Sequence, residues 1–208
     1  MHTRIRHITT FLLLILSLSL SAEEVDKTSP QYCGACHQRI FKEWSSSRMG
    51  QDLHNDKVYQ FYAGVSGTGE KDGLGFQPMM HGAKGDCADC HVPTLVINEH
   101  AKGNEVDLGV AMKEKKDHGI SCNFCHSVKD VHIRKDENGK YKTRIFETVT
   151  LDTSGTKHGP YTTNVPLVQK GFPTQKNPLF RKSELCGTCH LNQEKFLSIS
   201  QYADWKEA

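Results

Sequence analysis

Gly119-Ile120-Ser121-Cys122-Asn123-Phe124-Cys125-His126 contains one of four Cys-x-x-Cys-His patterns in this chain. The others are Cys33-Gly34-Ala35-Cys36-His37, Cys87-Ala88-Asp89-Cys90-His91 and Cys186-Gly187-Thr188-Cys189-His190. The chain has 8 cysteines, and these motifs use all of them. In this pattern two thiols add to the two vinyl groups of a haem as thioethers, and the next residue places its imidazole where it reaches the iron. Cysteine pairs at this spacing also build zinc knuckles or redox disulfides. Neither of those needs a histidine directly after the second cysteine, yet all four motifs have one. The expectation is therefore four covalent haem c groups. Cys33, Cys36, Cys87, Cys90, Cys122, Cys125, Cys186 and Cys189 would carry them, with His37, His91, His126 and His190 as proximal ligands.

Working outward, the N-terminus has a basic start (Arg4, Arg6), an apolar run over 11–20, and small residues at Ser21 and Ala22. That order reads as a secretory signal peptide over 1–22, because the run is well short of the ~20 residues that span a bilayer. The expected product is periplasmic or extracellular, with one domain over 23–208 and no membrane span. Removing Arg4 and Arg6 from the 26 Lys and Arg leaves 24, against 24 Asp and Glu. A balanced charge gives no support to nucleic-acid binding. Apolar residues make up 37% of the chain. A core that small usually needs staples, and tethered porphyrins would supply them.

The motif starts are separated by 54, 35 and 64 residues, which excludes a short-period solenoid. The fold class expected is mainly α, with long loops and one small β-hairpin, organised around the haems. A helix is expected over 33–49, with Ile40, Phe41 and Trp44 on one face and Gly50 as its stop. The glycine-rich segment 64–85 reads as loop, and 107–117 reads as helix. Asn138-Gly139, set between two strand-like runs in 131–151, signals a hairpin with a type I′ turn. The proline-rich segment 155–178 reads as loop, and a last helix is expected to start near Ser183 and run through the fourth motif.

The ligand on the far side of each iron decides its chemistry. A side chain there gives a low-spin carrier, whereas an open face admits substrate. Six histidines remain: His54, His81, His100, His118, His132 and His158. His118 lies just before the third motif and His81 six residues before Cys87, while His54 and His100 closely follow the first and second motifs. These four are the candidate distal ligands. His132 sits in the expected hairpin and reads as a surface residue. Met49 is a weaker thioether candidate, since a methionine beside Trp44 also suits a core.

The segments Cys33 to Trp44, Gly119 to Ser127 and Ser183 to His190 resemble a family of multihaem cytochromes c. That family includes the tetrahaem electron carrier of ammonia-oxidising bacteria, partner of hydroxylamine oxidoreductase. The resemblance runs from Tyr32 to Trp205, and Gly-x-Ser-Cys-x-Phe-Cys-His is its most specific part. It implies electron shuttling between periplasmic or membrane-bound redox proteins. In the family the first motif is followed by Trp-x-x-Ser-x-His, whose histidine is usually a distal ligand. Here Met49 stands at that position, which puts the family's ligand set in doubt at that haem and either raises Met49 as a substitute or leaves that haem to His54 or to no side chain. The last residues, Tyr202 to Ala208, resemble the start of another such helix, so a longer chain with more haems is one reading of the C-terminus. The alternative function is a multihaem reductase of nitrite, hydroxylamine, nitric oxide or tetrathionate, which would need a five-coordinate haem.

Overall fold

The computed structural model describes residues 25–64, 75–76, 87–114, 117–162, 172–193 and 198–208. The signal-peptide segment, most of 64–85 and His81 lie outside the described residues. Described helices are short, and each Cys-x-x-Cys-His motif begins on one. The first motif begins in α1 (Pro30–Gly34), which Pro30 starts and Ser29 caps by accepting from Tyr32 N–H. His37 then leaves helical geometry, at φ −99° and ψ 50°, before α2 (Gln38–Ser45). The single helix expected over 33–49 is therefore two, broken inside the motif. Trp44 and Phe41 pack together as expected, but Ile40 is exposed.

After a 3₁₀ turn at Asp52–His54 and α3 (Asp56–Ala63), the second motif forms α4 (Cys87–His91) and α5 (Pro93–His100) follows directly. Sequence reading assigned no element to α5. Its signals are Pro93 in the first turn and the buried Val96. Val92 before the proline leaves helical geometry, at φ −137° and ψ 57°, and this separates the two helices. The helix expected over 107–117 is α6 (Leu108–Glu114). It packs on α3 through Tyr62, while Asp117 lies beyond its end.

The third motif is α7 (Cys122–Ser127), which runs straight into β1 (Val128–Val131). β1 pairs antiparallel with β2 (Val149–Leu151), and α8 (Ile145–Thr148) is inserted just before β2. The hairpin is present, but its tip differs from the expected type I′ turn. Gly139 N–H bonds to Asp136 C=O and Asp136 N–H to Lys140 C=O, with Gly139 at φ 77°. That is a turn centred on Glu137 and Asn138, followed by a left-handed glycine. The Asp136 side chain caps it from below, accepting from Asn138 and Lys140 N–H.

The loop expected over 155–178 contains two short strands, β3 (Lys157–Gly159) and β4 (Thr174–Lys176), paired in parallel. The fourth motif lies on α9 (Glu184–Gly187), which ends before Cys189, so the helix expected through that motif is shorter. A small antiparallel pair, β5 (Asn192–Gln193) and β6 (Ser198–Ile199), leads to α10 (Gln201–Glu207). The architecture is mainly helical with three two-stranded ladders among the described residues, not one hairpin. No described helix is long and apolar enough to cross a membrane.

Two apolar clusters hold these pieces. The larger joins Tyr62, Val92, Val96, Leu108, Phe124, Val128, Ile145 and Leu179, with Ala88 of the second motif inside it. The smaller joins Leu191, Tyr202 and Ala203 and lies beside the fourth motif.

Candidate functional site

The Gly-x-Ser-Cys-x-Phe-Cys-His segment has a physical reason at each fixed position. Ser121, buried, caps α7 by accepting from Phe124 N–H at 3.2 Å. Phe124 fills the larger core. Gly119 adopts φ +62°, and a Cβ there would stand 2.8 Å from Leu53 Cγ. Asp117 organises the approach by accepting from the N–H groups of His118, Gly119 and Leu95. Burial raises its carboxyl above the usual range. Gly119→Ala is expected to cost about 2–4 kcal/mol, combining left-handed strain with overpacking against Leu53. Chemical denaturation of the purified protein checks this; a loss below ~1 kcal/mol would mean that Leu53 simply moves aside.

The fold brings the four motifs together in pairs. Cys33 and Cys122 are neighbours where α1 meets α7. Cys90 Sγ lies 3.8 Å from the Cys189 carbonyl oxygen, joining the second and fourth motifs. Cys125 feels both Cys186 and Cys189. No disulfide joins any of the eight cysteines. Burial pushes Cys33 and Cys122 upward, and Cys125 up to about 12. Cys90 is raised well above its ordinary value by its bond to Cys189 and by burial. A cycling dithiol needs a thiolate stabilised near neutral pH, and these environments mostly do the reverse. Nor do three His, Cys, Asp or Glu side chains converge as a metal-ion cage among the described residues.

Three of the four motif histidines have a common polarity. His91 Nδ1 faces Asp52 Oδ2 at 2.5 Å, His126 Nδ1 donates to the His158 carbonyl at 2.6 Å, and His190 Nδ1 lies 3.4 Å from Gln201 Oε1. In each case the outer nitrogen is committed, and Nε2 is left for a metal. A metal-bound imidazole normally has this outer partner. Burial lowers the basicity of His126, favouring the neutral ring a metal requires, and the ring stacks on Phe180 with centroids 5.3 Å apart. Two thiols followed by an imidazole, with Nδ1 held and Nε2 available in three of the four motifs, form a donor set that fits covalent haem.

The distal candidates are less uniform. His54 and His100 are exposed, and His100 stacks on Phe146 with centroids 3.5 Å apart. His118 Nε2 contacts Asp26 Oδ2 at 2.6 Å. Met49 is 52% exposed, which separates it from the core position considered from sequence. His132 sits at the surface of the hairpin beside Asp130 and Thr150. His158 is different. It is 3% exposed, its Nε2 is held by Asp152 Oδ2 at 2.9 Å, and its Nδ1 is buried with no hydrogen-bond partner. Sequence reasoning counted His158 but did not single it out. The signal lies in a carboxylate six residues away that the fold alone brings into contact. Lys157 beside it reaches into the third motif, donating to Asn123 Oδ1 and Ser127 Oγ.

Residues 32–127 match the family model described as cytochrome c554 and c-prime. That span holds three of the four motifs and is a little under half of the chain. The match supports the class to which the motifs point, a c-type cytochrome that binds haem covalently and carries electrons. No curated protein and no solved structure matches the chain.

Proposed function

We propose that this chain is a periplasmic tetrahaem c-type cytochrome that passes electrons between periplasmic or membrane-bound redox proteins. The observation that carries the reading is the gathering of four Cys-x-x-Cys-His motifs into one fold, with an Nδ1 partner at three of the four histidines. Haem, when bound, supplies a reversible one-electron change at iron. The chain's part is to tether the haems through eight thiols and to orient the proximal rings. Cys33 beside Cys122 and Cys90 beside Cys189 place neighbouring attachment points within contact, which suits a relay in which electrons cross short gaps. Export through residues 1–22 provides the compartment where such attachment takes place. The candidate distal ligands are His54, His81, His100, His118 and, at lower priority, Met49. His158 joins them on the strength of its buried, unpartnered Nδ1.

The reductase reading retains one observation: Met49, which stands where the resembling family has a ligand histidine, is largely exposed. The discriminating experiment combines haem counting by pyridine haemochrome with low-temperature EPR and carbon monoxide binding on the purified protein. Four haems, all low-spin and indifferent to carbon monoxide, are expected of the carrier. A high-spin ferric signal together with a carbon monoxide shift would place an open iron in the protein and move the case toward reduction of a small substrate, to be tested by turnover.

A further inference from the structure

The proximal histidines differ in what holds their outer nitrogen, and the difference is one of charge. His126 meets a neutral backbone carbonyl and His190 a neutral side-chain amide, 3.4 Å away and exposed. His91 meets the carboxylate of Asp52, whose side chain is 13% exposed. Asp52 is not a neighbour of the motif in sequence. It opens the 3₁₀ turn Asp52–His54, whose Leu53 packs against the apolar cluster that holds Ala88 and Val92. Leu53 lies where a Cβ on Gly119 would collide, with the His91 carbonyl 3.3 Å from the same point. The left-handed glycine thus admits Leu53, and Leu53 seats Asp52 on His91.

A carboxylate on Nδ1 draws the shared proton toward itself and makes the ring a stronger electron donor through Nε2. A metal bound there is stabilised in its more positive oxidation state, and the nearby negative charge acts in the same direction. Resting on the tetrahaem reading, we propose that Asp52 is a positioning residue that makes the haem at Cys87, Cys90 and His91 the lowest in potential of the three whose proximal partners are described. The site would be the hardest of those three to reduce. It adjoins the fourth motif, where the weaker Gln201 contact leaves the potential higher.

The test is a spectroelectrochemical titration of the haem-loaded full chain, with haem counted in each sample. Asp52→Asn keeps the shape of the side chain and removes its charge. One potential should rise by at least about 59 mV, a tenfold shift for a one-electron couple, while the others stay close to wild type. Asp52→Glu should return that potential toward the wild-type value. The reciprocal variant Gln201→Glu, at an exposed position, should lower one potential by a smaller step. It keeps the idea testable if Asp52→Asn does not fold. Four haems with unchanged potentials in Asp52→Asn, or in Gln201→Glu should the first fail to fold, would overturn the assignment to Asp52. Fewer than four haems in the wild-type protein would instead overturn the tetrahaem reading.

Discussion

Replacing Cys87 and Cys90 together with serine is expected to leave a protein with three haems in place of four and with most of its folding stability gone. The reason lies in where α4 sits. Ala88 and Asp89 are buried within it, and Val92 immediately after it is fully buried in the larger apolar cluster with Val96, Leu108 and Ile145. A chain of this polarity has little else to bury, and domains of this size are held by only about 5–15 kcal/mol. Losing the tether and the apolar face it anchors at the centre of that cluster removes a large share of this. The equivalent change at Cys186 and Cys189 should be milder. The fourth motif abuts the smaller cluster of Leu191, Tyr202 and Ala203, and Cys186 is exposed. Mass spectrometry and haemochrome absorbance count the haems, and thermal unfolding compares the two variants. A Cys87→Ser, Cys90→Ser protein that keeps four haems would show that these thiols carry none. Equal melting of the two double variants would remove the argument from the core.

The same contrast explains what could be read from the chain alone. The motifs are contiguous, so their chemistry is visible in five letters each. The special backbone of Gly119 and the cap at Ser121 were visible as a specific pattern, though not as a packing reason. The break at His37 was not visible, because the periodicity of Ile40, Phe41 and Trp44 continues across it while the backbone does not. At the tip, 136–140, Asn138-Gly139 favours a two-residue turn, yet the Asp136 carboxylate captures two N–H groups and settles the chain into a longer one. Helix α5 starts at a proline yet carries a weak local signal. Its apolar positions are few, and its helical state depends on burial of Val96 against other elements. The outer partners of the motif histidines were the least legible. Asp52 is 39 residues from His91, and the His158 carbonyl is 32 from His126. Contacts at that range come from tertiary packing and leave no local signature.

Arg144→Ala is expected to destabilise the protein by about 3–5 kcal/mol, more than removal of its partner would. Asp89, inside the second motif, is buried with a side chain 4% exposed. It accepts from Arg144 Nε at 2.9 Å and Nη2 at 3.2 Å, and from Ile145 N–H at 2.8 Å. This one carboxylate therefore ties α4 to the start of α8. Arg144 also lies over Phe146, 4.8 Å from its ring centroid, and Phe146 in turn stacks on His100. Without the guanidinium, a buried negative charge keeps one backbone N–H as its principal partner, the expensive case for a buried ion. Asp89→Ala is the cheaper break, about 1–3 kcal/mol, because Arg144 is 39% exposed and can turn to water. The double variant Asp89→Asn, Arg144→Leu removes both charges while keeping an acceptor for Ile145 N–H, and should recover at least half of the loss seen in Arg144→Ala. Denaturant unfolding of the three variants measures the asymmetry. If Arg144→Ala proved no worse than Asp89→Ala, the pair would be a surface contact in energetic terms, and the tie between the second motif and α8 would rest on Ile145 packing alone.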